Sequence, residues 1–141
     1  MGGRWNPPDR AGRAGFGALY LNATIETSKA NARRHVRETY AATLEDLRAS
    51  RRPDLQEYDV TPYDFVDAVT FPSQLGLSAT YPIEIPHAPC QGIAEEAYSA
   101  MEAGIVALSA VSPNAEELVI FDREVLALTR KTQRIKFELW Y

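Results

Sequence analysis

An α+β fold, with a small mixed β-sheet core and flanking helices, is predicted by three observations. Short apolar runs of strand length, at residues 18–21, 105–108 and 118–121, are bounded by Gly, Asn or a Pro-containing turn. Two further segments place apolar residues every three or four positions, the period of an amphipathic helix. A length of 141 residues with 45% hydrophobic content fits one domain over 1–141 that can bury a real core.

The elements follow in order. The segment up to Gly17 is rich in Gly, Pro and Arg and reads as a loop, where a ligand contact can sit. Ala18-Leu19-Tyr20-Leu21 suits a buried strand. Thr24 offers an N-cap, Glu26 favours the first turn, and a helix with the stripe Ala32, Val36, Tyr40, Leu44 and Leu47 follows, ending at the latest at Pro53. From Leu55 to Ile85 prolines break the pattern, and brief strands are expected at Glu57–Val60 and Phe65–Thr70. A second helix is expected over Cys90–Ala103, with Ile93, Ala97 and Met101 on one face and Gly104 as its stop. Two core strands, Ile105–Leu108 and Leu118–Phe121, flank a turn around Ser112-Pro113-Asn114. The end alternates Ile135, Phe137 and Leu139 with Arg134, Lys136 and Glu138, as a half-buried strand does.

Composition narrows the function classes. No run approaches the roughly 18 apolar residues of a membrane span, and the N-terminus has no apolar signal core, so a cytoplasmic protein is expected. The lone Cys90 forms no internal disulfide and offers no metal-ligand spacing, and no metal site is expected. The net charge of −4 conceals ten Lys/Arg against five Asp/Glu over residues 1–52, and five against fourteen thereafter. That split can steer an anionic small molecule to one face without the basic balance of a nucleic-acid binder, although charge alone favours two solvated faces. P-loop, dinucleotide-fold, zinc-protease and nucleophile-elbow motifs are absent. His35, His87 and Cys90 read as surface, loop and inert buried residues, and none is assigned a role.

Three stretches carry the chemistry: Gly2-Gly3-Arg4-Trp5-Asn6-Pro7-Pro8, Phe16-Gly17-Ala18-Leu19-Tyr20-Leu21, and Gly104-Ile105-Val106-Ala107-Leu108-Ser109-Ala110 leading into Leu118-Val119-Ile120-Phe121. In this order and spacing the chain resembles the RES domain family, named for an arginine, a glutamate and a serine. The resemblance implies a fold similar to ADP-ribosyltransferase domains and an activity that degrades NAD, as hydrolase or phosphorylase, releasing nicotinamide. NAD is then a substrate, and no cofactor is implied. The family arginine maps onto Arg4, the aromatic after it onto Trp5, the strand tyrosine onto Tyr20 and the serine onto Ser109. Arg4 has a forked donor set for pyrophosphate, Trp5 and Tyr20 offer ring faces to a cationic nicotinamide, and Ser109 offers a hydroxyl to the nicotinamide amide or ribose. Taken singly, Arg4 also reads as a surface ion pair, Trp5 and Tyr20 as core aromatics, and Ser109 as a strand cap.

Two departures accompany the resemblance. The glutamate position falls on Asn31, which keeps hydrogen bonds and loses charge, and Glu26 and Glu38 are poorly placed to replace it. Losing one preorganised electrostatic partner commonly costs on the order of 3 kcal/mol, about a hundredfold in rate. The chain also starts almost at the arginine motif, where RES domains usually have a preceding strand and loop, so that N-terminal piece is expected to be lacking. The alternative is a catalytically degenerate RES domain that binds nucleotide or a protein without turnover. As partner, the resemblance implies an antitoxin with a helix-turn-helix DNA-binding domain, with no direct contact to nucleic acid or membrane. The attacking acceptor and the oligomeric state, a homo-oligomer included, stay open.

Overall fold

A computed structural model describes residues 3–78, 81, 87–111 and 114–141. The elements are β1 (Ala18–Asn22), α1 (Ile25–Tyr40), β2 (Leu55–Val60), β3 (Val66–Asp67), α2 (His87–Ser99), β4 (Gly104–Leu108), β5 (Glu116–Phe121), α3 (Val125–Leu128), β6 (Thr129–Ile135) and α4 (Phe137–Trp140). Four strands form a mixed sheet in the order β1-β5-β4-β3, with β1/β5 and β5/β4 antiparallel and β4/β3 parallel. β2 and β6 pair antiparallel as a separate ribbon. The α+β class expected from the sequence, with a small mixed sheet and flanking helices, is the observed one.

Strand parity places the core. Tyr20 lies opposite Val119, Ala18 opposite Phe121, and Ile105 opposite Val119 on the other side of β5, so these side chains share one face of the sheet. That face packs on Trp5, Tyr81 and the α2 residues Cys90, Ala94 and Ala97. The opposite face carries Leu19, Leu21, Val106 and Leu118, which border a cleft of about 770 Å³ reaching the β2–β6 ribbon and α1. A second cluster joins Val36, Leu44, Phe137 and Trp140.

Helix α1 opens on Thr24, whose hydroxyl accepts from the Thr27 N–H at 3.2 Å. It stops at Tyr40, earlier than the apolar stripe implied, because Ala41 takes a left-handed conformation with φ 51°. Leu44 is nevertheless fully buried, from the following loop. β3 is shorter than expected: the Asp67 carboxylate accepts from the N–H groups of Val69 and Thr70 and turns the chain. α2 begins at His87 and ends at Ser99, and Met101 at φ 64° reverses the chain, so Gly104 opens β4 rather than closing the helix.

The C-terminal alternation is corrected in part. The strand ends at Ile135, and residues 137–140 form a helical turn that buries Phe137 and Trp140 three positions apart and leaves Leu139 exposed. Burying two large rings against α1 outweighs continuing a polar ribbon strand. Met1, Gly2, most of the expected proline-rich stretch at 79–86 and the Ser112-Pro113 part of the predicted turn lie outside the described residues.

Candidate active site

The loop before β1 is folded onto the sheet by one asparagine and one tyrosine. Asn6 Oδ1 accepts from the Gly3 N–H at 3.1 Å and from the Tyr20 hydroxyl at 2.6 Å, while Asn6 Nδ2 donates to the Phe16 carbonyl. The Tyr20 oxygen in turn accepts from the Trp5 N–H at 2.9 Å. Gly3 is required by this closeness, since a Cβ there would stand 2.6 Å from the Tyr20 oxygen and 2.7 Å from Asn6 Oδ1. From α2, Gln91 donates to the Gly3 carbonyl at 2.8 Å and accepts from Arg10, and Glu95 pairs with Arg13 at 2.9 Å. Arg4 is thereby delivered to a fixed place between β1 and α2.

That place is unusual for a guanidinium. Arg4 is 8% exposed, and its Nη1 is buried without a hydrogen-bond partner. Trp5 Nε1 is a second buried donor without an acceptor. Buried donors are normally paired, and leaving one unpaired costs about 1–3 kcal/mol. Arg4 and Trp5 are consecutive residues, and Arg123 Nε is a third buried donor without a partner among the described residues.

The charge of Arg4 acts on Tyr20, Tyr81, His87, Cys90 and Glu117. Burial pushes the Tyr20 phenol well above its ordinary value and the Tyr81 phenol up to about 12, and raises the Cys90 thiol to about 11. Cys90 is fully buried, in line with the core position read from the sequence. His87 at the start of α2 is held below its ordinary value by burial and then by Arg4 and Arg34. Burial lifts the Glu117 carboxyl to about 7, with Arg4 and Arg34 opposing the shift.

Trp5 and Tyr20 pack in the cluster on the sheet face toward α2, and Ser109 lies just beyond β4 with the parity of that face. Trp5 is core: it is fully buried and packs edge-to-face on Tyr81 at 6.1 Å, so the expected ring face for nicotinamide is not open. Its polar edge is what remains for a ligand. Ser109 continues the parity of Ile105 and Ala107, is fully buried, and its Oγ accepts from the Val111 N–H at 3.3 Å, which is the strand-cap geometry. Asn31 donates its amide to Asn22 Oδ1 at 2.7 Å, at the end of β1. The large cleft on the opposite face touches this polar group only at Tyr20, Asn22 and Glu117, and its lining is otherwise mostly apolar strand and ribbon.

Sequence reading missed Asn6, Tyr81, Gln91 and Glu117. Glu117 had a signal: it shares parity with Val119 and Phe121, so it is an acidic residue at a core-facing position.

The RES domain family model matches residues 1–140. The chain belongs to the RES domain family. No curated protein matches the sequence. A chain in the crystal structure of the M. tuberculosis MbcT–MbcA toxin–antitoxin complex is similar to this RES domain, with 22% identity and a TM-score of 0.73 over 94% of this chain and 70% of that one. At that identity the likeness carries the fold. Among the described residues no helix is long and apolar enough to cross a membrane, and no group of His, Cys, Asp or Glu is placed to hold a metal ion.

Proposed function

We propose that this RES domain consumes NAD, releasing nicotinamide, and acts as the toxin of a toxin–antitoxin pair. The observation that carries the reading is the buried Arg4 with an unpaired Nη1, followed in sequence by Trp5 with an unpaired indole N–H, within a family match that spans the chain. Two preorganised donors of this kind fit a pyrophosphate, the anionic centre of NAD, and their cost in the free protein is recovered only when an acceptor arrives. In this reading Arg4 and the Trp5 edge hold the dinucleotide, the partly buried Tyr20 ring lines the site, and Ser109 orients the nicotinamide ribose. The toxin role rests on the likeness to a chain of a toxin–antitoxin complex, and it carries with it an antitoxin partner.

A second reading is favoured by Asn31. Its amide is spent on Asn22, so the helix brings no carboxylate to the site, and a domain that binds NAD without turnover would look like this. The two readings separate in one assay. NAD incubated with the protein, with and without phosphate, is followed by proton NMR for nicotinamide. Release that disappears in Arg4→Ala supports the enzyme, and phosphate dependence names the acceptor. Binding by calorimetry with no release supports the degenerate domain, and neither binding nor release refutes both.

A further inference from the structure

Glu117 is the one carboxylate that the described strands present on the site's face of the sheet. In the register of β1, β5 and β4 it lies between Asn22 and Ala107. Directly paired residues put their Cβ atoms about 4.5–5.5 Å apart on the same face. Asn22 is two positions beyond Tyr20, and Ala107 is two before Ser109, so Glu117 stands between the two predicted site residues. Asn31, bonded to Asn22, is its neighbour from the helix.

Carboxylates on α1, on α2 and just after β5 are already engaged. Glu38 pairs with Arg34 at 2.8 Å, Glu95 with Arg13, and Asp122 accepts from the N–H groups of Gly17 and Arg123. Glu117 makes no side-chain hydrogen bond or ion pair among the described residues, although it is largely shielded from water and within the field of Arg4. The free protein therefore holds an unpaired buried cationic donor and an unpaired shielded carboxylate in one site, without joining them into a salt bridge. A ligand with an anionic centre and a separate cationic ring satisfies both, and a dinucleotide bearing a pyridinium is such a ligand.

We propose that Glu117 faces the pyridinium-bearing ribose of the substrate and stabilises the positive charge that develops there, from strand β5 rather than from helix α1. The inference rests on the NAD reading above. In the step it serves, the bond between ribose C1′ and the pyridinium nitrogen breaks with both electrons going to nitrogen, which leaves as neutral nicotinamide. The positive charge passes to C1′ and the ring oxygen, opposite the Glu117 carboxylate. With water as the acceptor, its oxygen forms the new C1′–O bond, and the proton it releases is taken by Glu117 and passed to solvent. No electrons are gained or lost overall.

The test compares wild type, Glu117→Gln, Glu117→Gln/Asn31→Glu and Arg4→Ala, each checked for cooperative melting. Nicotinamide release gives kcat and KM, and calorimetry gives the affinities for NAD and for NADH, whose ring is uncharged. The expected result is a loss of about a hundredfold in kcat for Glu117→Gln with KM within about threefold, and recovery of at least about tenfold on adding Asn31→Glu. Glu117→Gln is also expected to erase a several-fold preference for NAD over NADH, a change that a merely structural role would not produce. Turnover by Glu117→Gln within about threefold of wild type, with Arg4→Ala inactive, overturns the assignment and leaves the NAD reading standing. An NAD-to-NADH ratio unchanged by Glu117→Gln also overturns it. No nicotinamide release by wild type, with or without phosphate, removes the NAD reading and this inference together.

Discussion

Replacing Arg4 by methionine gives a prediction whose sign separates a ligand-binding arginine from a structural one. In wild type the guanidinium is 8% exposed and Nη1 has no partner, so the folded free protein carries an uncompensated donor. Methionine fills similar space with an adaptable apolar chain and removes that donor. The relief is about 1–3 kcal/mol. Scaled to 141 residues, unfolding entropy converts 1 kcal/mol into about 3 °C, so Tm is expected to rise by about 3–10 °C. The same change should abolish the stabilisation by NAD, which for wild type at a hundredfold excess over Kd is about 2.7 kcal/mol, or about 9 °C. Both numbers come from thermal melts with and without NAD at pH 6, where much of Glu117 is protonated and its charge is a minor complication. A fall of several degrees in the melt without NAD would refute the reasoning, because it would mean that Arg4 anchors the fold and its unpaired nitrogen is not held for a ligand.

Further outcomes follow from the same geometry. Glu117 has a folded pKa of about 7, above its unfolded value, so the fold binds the extra proton and stability falls as pH rises from about 4.5 to 7. Allowing for its partial contact with solvent, that loss is about 1–2 kcal/mol, and Glu117→Gln should flatten Tm against pH over this window. Nicotinamide release should rise through about pH 7, since the ionised carboxylate is the active form. The groups that share its field titrate elsewhere, with Cys90, Tyr20 and Tyr81 well above their ordinary values. Gly3→Ala drives a methyl against the Tyr20 oxygen and Asn6 Oδ1, and overpacking of this kind costs about 1–3 kcal/mol. A lower Tm together with weaker NAD binding is expected, and an unchanged melt would show that the loop relaxes without cost.

Much of the frame was legible because it depends on local signals. The strand at Ala18–Asn22, the Thr24 cap and the two core strands β4 and β5 follow from short apolar runs and capping chemistry that act within a few residues. What failed depended on distant partners. The apolar spacing of Leu44 and Leu47 looked helical, yet Leu44 is buried by the C-terminal turn, whose own alternation looked like a strand until Phe137 and Trp140 found α1. At the site, Arg4, Tyr20 and Ser109 were legible as chain-order motifs, and strand parity puts Tyr20 and Ser109 toward one face of the sheet. The roles inside the cluster were less so. An indole with an open face and one that is fully buried are spelled alike, and only the contact with Tyr81 distinguishes them. Glu117 was hidden because residues 118–121 read as one continuous apolar run, which masks the period of two that turns residue 117 toward the core.

The unpaired groups also explain how stability and function divide this small domain. Cohesion comes from the packing of α2 on the sheet and from the Val36–Trp140 cluster, both apolar and both built without Arg4 or Glu117. The polar site sits at one end of the first cluster, where Gln91, Asn6 and the Tyr20 hydroxyl spend their hydrogen bonds on holding the loop rather than on satisfying Arg4. A core that needed Arg4 would have given Nη1 an acceptor, and a surface that tolerated Glu117 would have left its acidity unperturbed. Instead the supporting residues are saturated and the groups aimed at the site are not. That division makes the expected signs differ across one small region: substitutions at Arg4 and Glu117 stabilise the free protein and remove function, whereas a substitution at Gly3 destabilises it and removes function through position.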